Sequence, residues 1–384
     1  MGFQAGRRDR HFRPRVPIGG GMRRMTNCAR VPVVAVPARD EEERLPPLLA
    51  ALGGQTWLDA GGARLRVVLV LNNCTDDSAG AAIRAAAAQP RLALDVVEVS
   101  LPPDAAHVGT ARRMAMERVL EGCDPTSVAL LTTDADAVPA PDWIEANLYA
   151  IAAGADLVGG LIVGDPAEEA RLGPGFRRRA EAFLDYAALA DRLAALIDPL
   201  PHDPWPRHRD HTGASLAVRG EVYAAVGGMP PLPFREDLAF ASRVRLAGGR
   251  LRHDSLVRVE VSARLAGRAP GGMADCLKEW LRAEAENRPI LVEAPDAIEA
   301  RLVLRRALRD LDGAGVAERR RAAERFGLDP RGFSDATGAP LPGFALAELF
   351  APDAPDAPAT VPVEAASAAL RAAIARLEGE RHAA

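Results

Sequence analysis

The chain has 384 residues, 48% of them hydrophobic and 26% charged, with a formal net charge of −4. That balance excludes a polar disordered chain and a general nucleic-acid binder, which would carry a large positive charge. No apolar run approaches the roughly 20 residues that span a bilayer. The four cysteines (Cys28, Cys74, Cys123, Cys276) lack the CxxC spacing of a zinc or redox site, so reduced thiols and a cytoplasmic location are expected.

Residues 1–30 are basic, lack the apolar segment of a secretory signal, and read as a disordered tail. From Val31 a regular alternation begins. Short apolar runs at "VPVVAVP", "LRVVLVL" (65–71), "LALDVVEV" (92–99) and "SVALLTT" (127–133) predict strands. Between them, "EEERLPPLLAALGG", "DDSAGAAIRAAAA" and "GTARRMAMERVLEG" predict helices, and a fourth runs from about Pro141 to Ala153. Continuous apolar strands alternating with helices indicate a mostly parallel sheet covered on both faces. "ADLVGGLIVG" closes this part at Gly164.

The texture then changes. An amphipathic helical stretch (166–200) leads into the irregular "PHDPWPRHRDHTG", and "ASLAVRGEVYAAVGGM" reads as strand, turn and short helix. "PFREDLAFASRVRLAGG" predicts a helix opening on Glu236 and Asp237, and "RLRHDSLVRVEVSAR" gives one or two strands. From about Pro270 the pattern is helical, apart from "APDAPDAPATVP" (351–362), which reads as a linker. The division expected is a tail at 1–30, an α/β domain at 31–267 with halves at 31–164 and 165–267, and a helical extension at 268–384 that covers the second half or mediates self-association.

In a parallel sheet, ligands bind beyond the carboxyl ends of the strands. Three polar segments fall there: "ARDEE", "NNCTDD" and "TDADA". Asp134 and Asp136, at i and i+2 past a strand end, suit a hard divalent cation, which takes oxygen ligands from one or two carboxylates plus water and substrate phosphates. Mg²⁺ or Mn²⁺ is the expected ion, bridging protein to a diphosphate.

Taken together, "VPVVAVPARDEEERLPPLLAAL", "VVLVLNNCTDDSAGAA", "GTARRMAMERVL", "LLTTDADAVPAPDWIEANLYAI", "GASLAVRGEVYAAVGGM" and "REDLAFASRVRLAGG" occur in the order and spacing of family 2 glycosyltransferases. The chain resembles that family from about Val31 to Gly249. The resemblance implies a GT-A fold, a Rossmann-like sheet with helices on both faces, followed here by the helical extension. It also implies transfer of a single sugar from a nucleotide-diphosphate donor to a hydroxyl acceptor with a divalent metal.

By that resemblance Pro37, Ala38, Arg39 and Glu41 line the nucleoside pocket, and Arg112 lies near the nucleotide. Asp134 faces ribose and metal, Asp136 is the main metal ligand, and Asp237 is the base of an inverting reaction, with Glu236 beside it on the acceptor side. Leu71 stands where the family commonly has a uracil-reading carboxylate, which leaves Asn72 to meet the base. His211, Gly213 and Arg264 are the other residues expected on the acceptor side. A surface-turn role is favoured for His253 over a third metal ligand, and a solvated loop for His202 and His208. Two rivals are a haloacid-dehalogenase-type phosphatase, whose nucleophile motif is also DxD but on the first strand and which needs a later lysine (only Lys278 is present), and a non-catalytic sugar-nucleotide-binding protein.

Overall fold

The computed structural model describes residues 30–61, 63–267, 271–353, 355 and 357–383. The tail expected at 1–30 lies outside these except for Arg30, whose guanidinium donates to both carboxylate oxygens of Glu221 at 2.8 and 2.7 Å.

The first half follows the strand–helix alternation of the sequence. β1 (Val31–Ala38), α1 (Leu45–Gly53), β2 (Leu65–Asn72), α2 (Ser78–Ala87), β3 (Leu92–Val99), α3 (Val108–Leu120) and β4 (Val128–Thr132) build a parallel β3-β2-β1-β4 array. Alternate side chains of a strand point to opposite faces, and here both faces are buried. Val34, Val36, Leu69 and Leu71 enter one core with α1. Val33, Ala35, Val68 and Val70 enter the other with Ala111, Ala115 and Met116 of α3. Burying a Val or Leu side chain contributes about 1.5–3 kcal/mol, so this double-faced burial is what makes the strands apolar throughout.

The second half completes an eight-stranded sheet in the order β3-β2-β1-β4-β7-β6-β8-β5. It consists of β5 (Ala137–Pro139), α4 (Trp143–Ala152), β6 (Leu157–Gly164), α5 (Pro166–Arg171), α6 (Gly173–Ile197), β7 (Leu216–Arg219), α7 (Gly220–Ala225), α8 (Glu236–Leu246) and β8 (Leu251–Val261). β7 runs antiparallel to both β4 and β6, and β5 antiparallel to β8, so the sheet is parallel in most but not all of its strands. The residues directly after the two aspartates form β5, which pairs Ala137 with Val261. That pairing draws Asp136 to the end of β8.

Beyond the sheet lie α9 (Met273–Ala285), β9 (Leu291–Glu293), α10 (Pro295–Arg309), α11 (Val316–Phe326), α12 (Gly343–Phe350), β10 (Thr360–Pro362) and α13 (Val363–Ala383). α6 is the shared spine: Tyr186, Leu193 and Leu196 pack with Val292, Ile298, Leu302, Val363 and Leu370. The stretch 351–362, expected as a linker, is docked at both ends. β10 pairs with β9, and Asp353 meets Arg245 of α8 at 3.0 Å and Arg305 of α10 at 3.1 Å. Its composition hid this because both sets of partners are far off in sequence. Arg245 also forks onto Glu348 of α12 with two bonds of 2.9 Å, so the C-terminal helices brace the helix that begins at Glu236.

Candidate functional site

β1, β2 and β4 are parallel, so their carboxyl ends open on the same edge of the sheet. From β1, Pro37 and Ala38 are buried against Val70 and Leu71, and Arg39 is exposed, donating to the Ala106 carbonyl at 3.2 Å. Asp40 turns the chain with a positive φ of 52° and accepts from the Thr75 backbone N–H at 2.6 Å. Glu41 follows, buried, its backbone N–H donating to Ser78 Oγ at 2.9 Å.

At the end of β2 the strand alternation sends Leu71 into the hydrophobic core. Asn72 is also buried; its amide donates to the His107 carbonyl at 3.4 Å, and its Oδ1 finds no hydrogen-bond partner among the described residues. A buried unpaired acceptor costs about 1–3 kcal/mol, so a site that keeps one is suited to a donor arriving with a ligand.

Past β4, two carboxylate–guanidinium–carboxylate ladders meet at the aspartate pair. In the first, fully buried Arg112 donates to Asp134 Oδ1 at 2.7 Å, Glu236 Oε1 at 3.2 Å, Thr132 Oγ1 at 3.0 Å and the Gly213 carbonyl at 2.8 Å. Burial works against that charge, but Asp134 and Glu236 override it and hold the proton more tightly than water would. Burial also pushes Glu236 above its ordinary range, with Arg112 opposing. Gly213 is fitted to this contact: a Cβ there would lie 2.3 Å from an Arg112 nitrogen.

In the second ladder, Arg264 lies 3.0 Å from Asp136 Oδ2 and donates to Glu41 Oε2 at 2.7 Å, with a further bond to Glu41 Oε1. Arg264 was expected on the acceptor side. The structure sets it against Asp136 and Glu41, because the β5–β8 pairing carries the end of β8 to the aspartate pair.

Asp237 sits in the first turn of α8, where backbone N–H groups favour a carboxylate. It accepts from Gly213 N–H at 2.8 Å and Leu238 N–H at 2.7 Å. His211, two residues before Gly213, belongs to a half-buried chain. Asp203, held below its ordinary range by His253 against the cost of burial, accepts from His253 Nδ1 at 2.9 Å, and His253 Nε2 lies 3.1 Å from His211 Nδ1. An ionised Asp203 makes His253 Nδ1 the donor of that bond. Burial and His253 push His211 down to about 3, so it is neutral. His253 is thus a strand residue opposite Gly159, not a turn residue, and His208 is largely buried beside it.

Residues 33–198 match the family model for glycosyl transferase family 2. Over that segment the chain matches family 2 glycosyltransferases. The matched segment includes Glu41, Asn72, Arg112, Asp134 and Asp136, whereas Gly213, Glu236, Asp237 and Arg264 lie beyond it. Among solved structures, the chain is similar to S. aureus TarS 1–349 in complex with UDP (14% identity, TM-score 0.44, covering 73% of this chain and 72% of that one). It is also similar to the mannosyltransferase PcManGT from Pyrobaculum calidifontis in complex with GDP-Man and Mn²⁺ (20%, TM-score 0.42, covering 91% and 80%). A third is glucosyl-3-phosphoglycerate synthase from Mycobacterium tuberculosis in complex with phosphoglyceric acid (16%, TM-score 0.38, covering 68% and 81%). At these TM-scores the likeness assigns no residue a role. A comparison with curated proteins found no match.

The residues of this crevice suit a divalent cation. Glu41, Asp134, Asp136, Glu236 and Asp237 gather around two guanidiniums, which leaves an excess of negative charge. Burial, and then Asp134, push Asp136 up to about 6, with Arg264 opposing them. The donors are hard oxygens, as Mg²⁺ and Mn²⁺ prefer. A proton on Asp136 competes with metal, so Mn²⁺ affinity, measured by titration calorimetry, should rise between about pH 5 and pH 7 and then level off. The sign follows from the raised value. Ionising Asp136 lowers the metal-free fold's stability as pH climbs from the unfolded value of 3.8 through about 6, and a bound cation offsets that loss. An affinity that is flat across this window would show that Asp136 is not a ligand.

Proposed function

We propose that this chain transfers a single sugar from a nucleoside-diphosphate sugar to an acceptor hydroxyl, with inversion, using a divalent metal held by Asp134 and Asp136. The observation that carries the reading is the link from Asp134 through Arg112 and Gly213 to Asp237, in a chain whose residues 33–198 match the family 2 model. In this reading residues 31–164 bind the donor, 165–267 shape the acceptor side, and 268–384 brace α8. The reading also sets the enzyme in the cytoplasm; among the described residues no helix is long and apolar enough to cross a membrane.

Each role follows from the chemistry of the residue. Pro37, Ala38, Arg39 and Glu41 border the nucleoside, and Asn72 Oδ1 accepts from a base N–H. Arg112 keeps Asp134 ionised and oriented. The metal, when bound by Asp134 and Asp136, would neutralise charge on the diphosphate leaving group. Asp237 takes the proton of the acceptor hydroxyl on a carboxylate oxygen; two backbone bonds fix its position and leave it further lone pairs. His211 and Gly213 carry the loop that faces it.

The phosphatase alternative is disfavoured by its lysine: Lys278 is an exposed residue of α9, paired with Asp275 at 3.1 Å. Purified protein with Mn²⁺ and a panel of nucleotide sugars, scored for nucleotide release, tests the reading. Asp136→Ala should abolish release and the Mn²⁺-dependence of nucleotide binding while the circular dichroism spectrum is unchanged. Metal-dependent binding that survives in this variant would remove the assignment of the aspartate pair.

A further inference from the structure

Arg264 stands where a metal would draw on Asp136. Its guanidinium bridges Asp136 and Glu41, two carboxylates that follow the neighbouring strands β4 and β1. Its root is fixed. Ser262 Oγ and the Ala263 N–H both donate to Glu168 Oε2 at 2.7 Å, and Glu168 is itself paired with Arg44 at 2.8 Å. Its tip is less confined, since the side chain keeps 20% of its exposure and reaches its partners through four rotatable bonds. A guanidinium and a divalent ion repel each other at one carboxylate, so both cannot hold Asp136 fully. A planar guanidinium also binds phosphate oxygens in the same two-pronged way as a carboxylate.

We propose that Arg264 is the internal counter-cation of the donor crevice: free divalent metal has to compete with it for Asp136, and a nucleoside diphosphate arriving with metal lets the guanidinium move onto phosphate. The second half rests on the sugar-transfer reading; the first does not. The consequence is coupling. Metal alone binds weakly, and metal and nucleotide bind well together.

The test is Mn²⁺ titration of the full chain near neutral pH, without nucleotide and with UDP, GDP, CDP or ADP in turn. Arg264→Gln should bind Mn²⁺ alone roughly tenfold more tightly than wild type or better, because it removes the competing charge. The further tightening that nucleotide gives wild type should shrink in the variant. If Arg264→Gln does not fold, Arg264→Lys keeps the charge but loses the two-pronged grip, and it should still bind Mn²⁺ alone a few-fold more tightly. Unchanged or weaker Mn²⁺ binding in whichever folded variant is measured overturns the counter-cation role, whatever the nucleotides do. No binding of any of the four nucleotides by wild type overturns the sugar-transfer reading instead.

Discussion

Replacing Arg112 with methionine should cost about 3–5 kcal/mol of stability, a loss large enough to leave much of the protein unfolded at 37 °C. The guanidinium is fully buried and serves Asp134, Glu236, Thr132 and the Gly213 carbonyl at once. Methionine fills the volume and satisfies none of them. Glu236 would become a buried carboxylate without a counter-charge, and a buried ion pair broken on one side is costlier than one replaced on both. The double variant Arg112→Met/Glu236→Gln should therefore recover part of the loss. Urea unfolding followed by circular dichroism measures both. A single variant within about 1 kcal/mol of wild type would show that the ladder is not structural.

Replacing Asp237 with asparagine should lower sugar transfer by about 10²–10⁴-fold, the usual contribution of a positioned general base. Nucleotide affinity should stay within a few fold. The substitution is not structurally silent. Both carboxylate oxygens accept backbone N–H groups, from Gly213 and Leu238, and an amide offers an oxygen to one and a nitrogen to the other. A stability loss of about 1–2 kcal/mol is expected alongside the rate loss, so turnover and unfolding have to be measured on the same preparation. Wild-type turnover would rule out Asp237 as the base and favour a retaining reaction.

The two variants separate two uses of one turn of α8. Glu236 points into the Arg112 ladder and is buried, whereas neighbouring Asp237 is less buried and held by backbone groups. Adjacent helix positions face about 100° apart, so one acidic pair supplies a structural anchor and a candidate base. α8 is braced at its far end by Arg245 with Glu348 and Asp353.

The sequence by itself determined the features that depend on neighbours a few residues away. Short continuous apolar runs, buried on both faces, marked β1 to β4, and the change to helical spacing marked α1 to α4. The i, i+2 spacing of Asp134 and Asp136 past an apolar run put them at a strand end, and the Glu236–Asp237 pair marked the start of α8. Tertiary structure decided what depends on strand order and distant pairing. β5 was hidden because three residues inside "TDADAVPAPDW" have no period of their own; β8 supplies their partner. That pairing brought Arg264 to Glu41, 223 residues away. Arg112 was not legible as the centre of a ladder, because Glu236 and Gly213 reach it only through the placement of β7 beside β4. The span 351–362 reads as linker because its partners Arg245, Arg305 and β9 lie 46 residues or more upstream along the chain. Local physics fixes which residues are strand, helix or cap; which charges meet depends on long-range packing that no short window of the chain encodes.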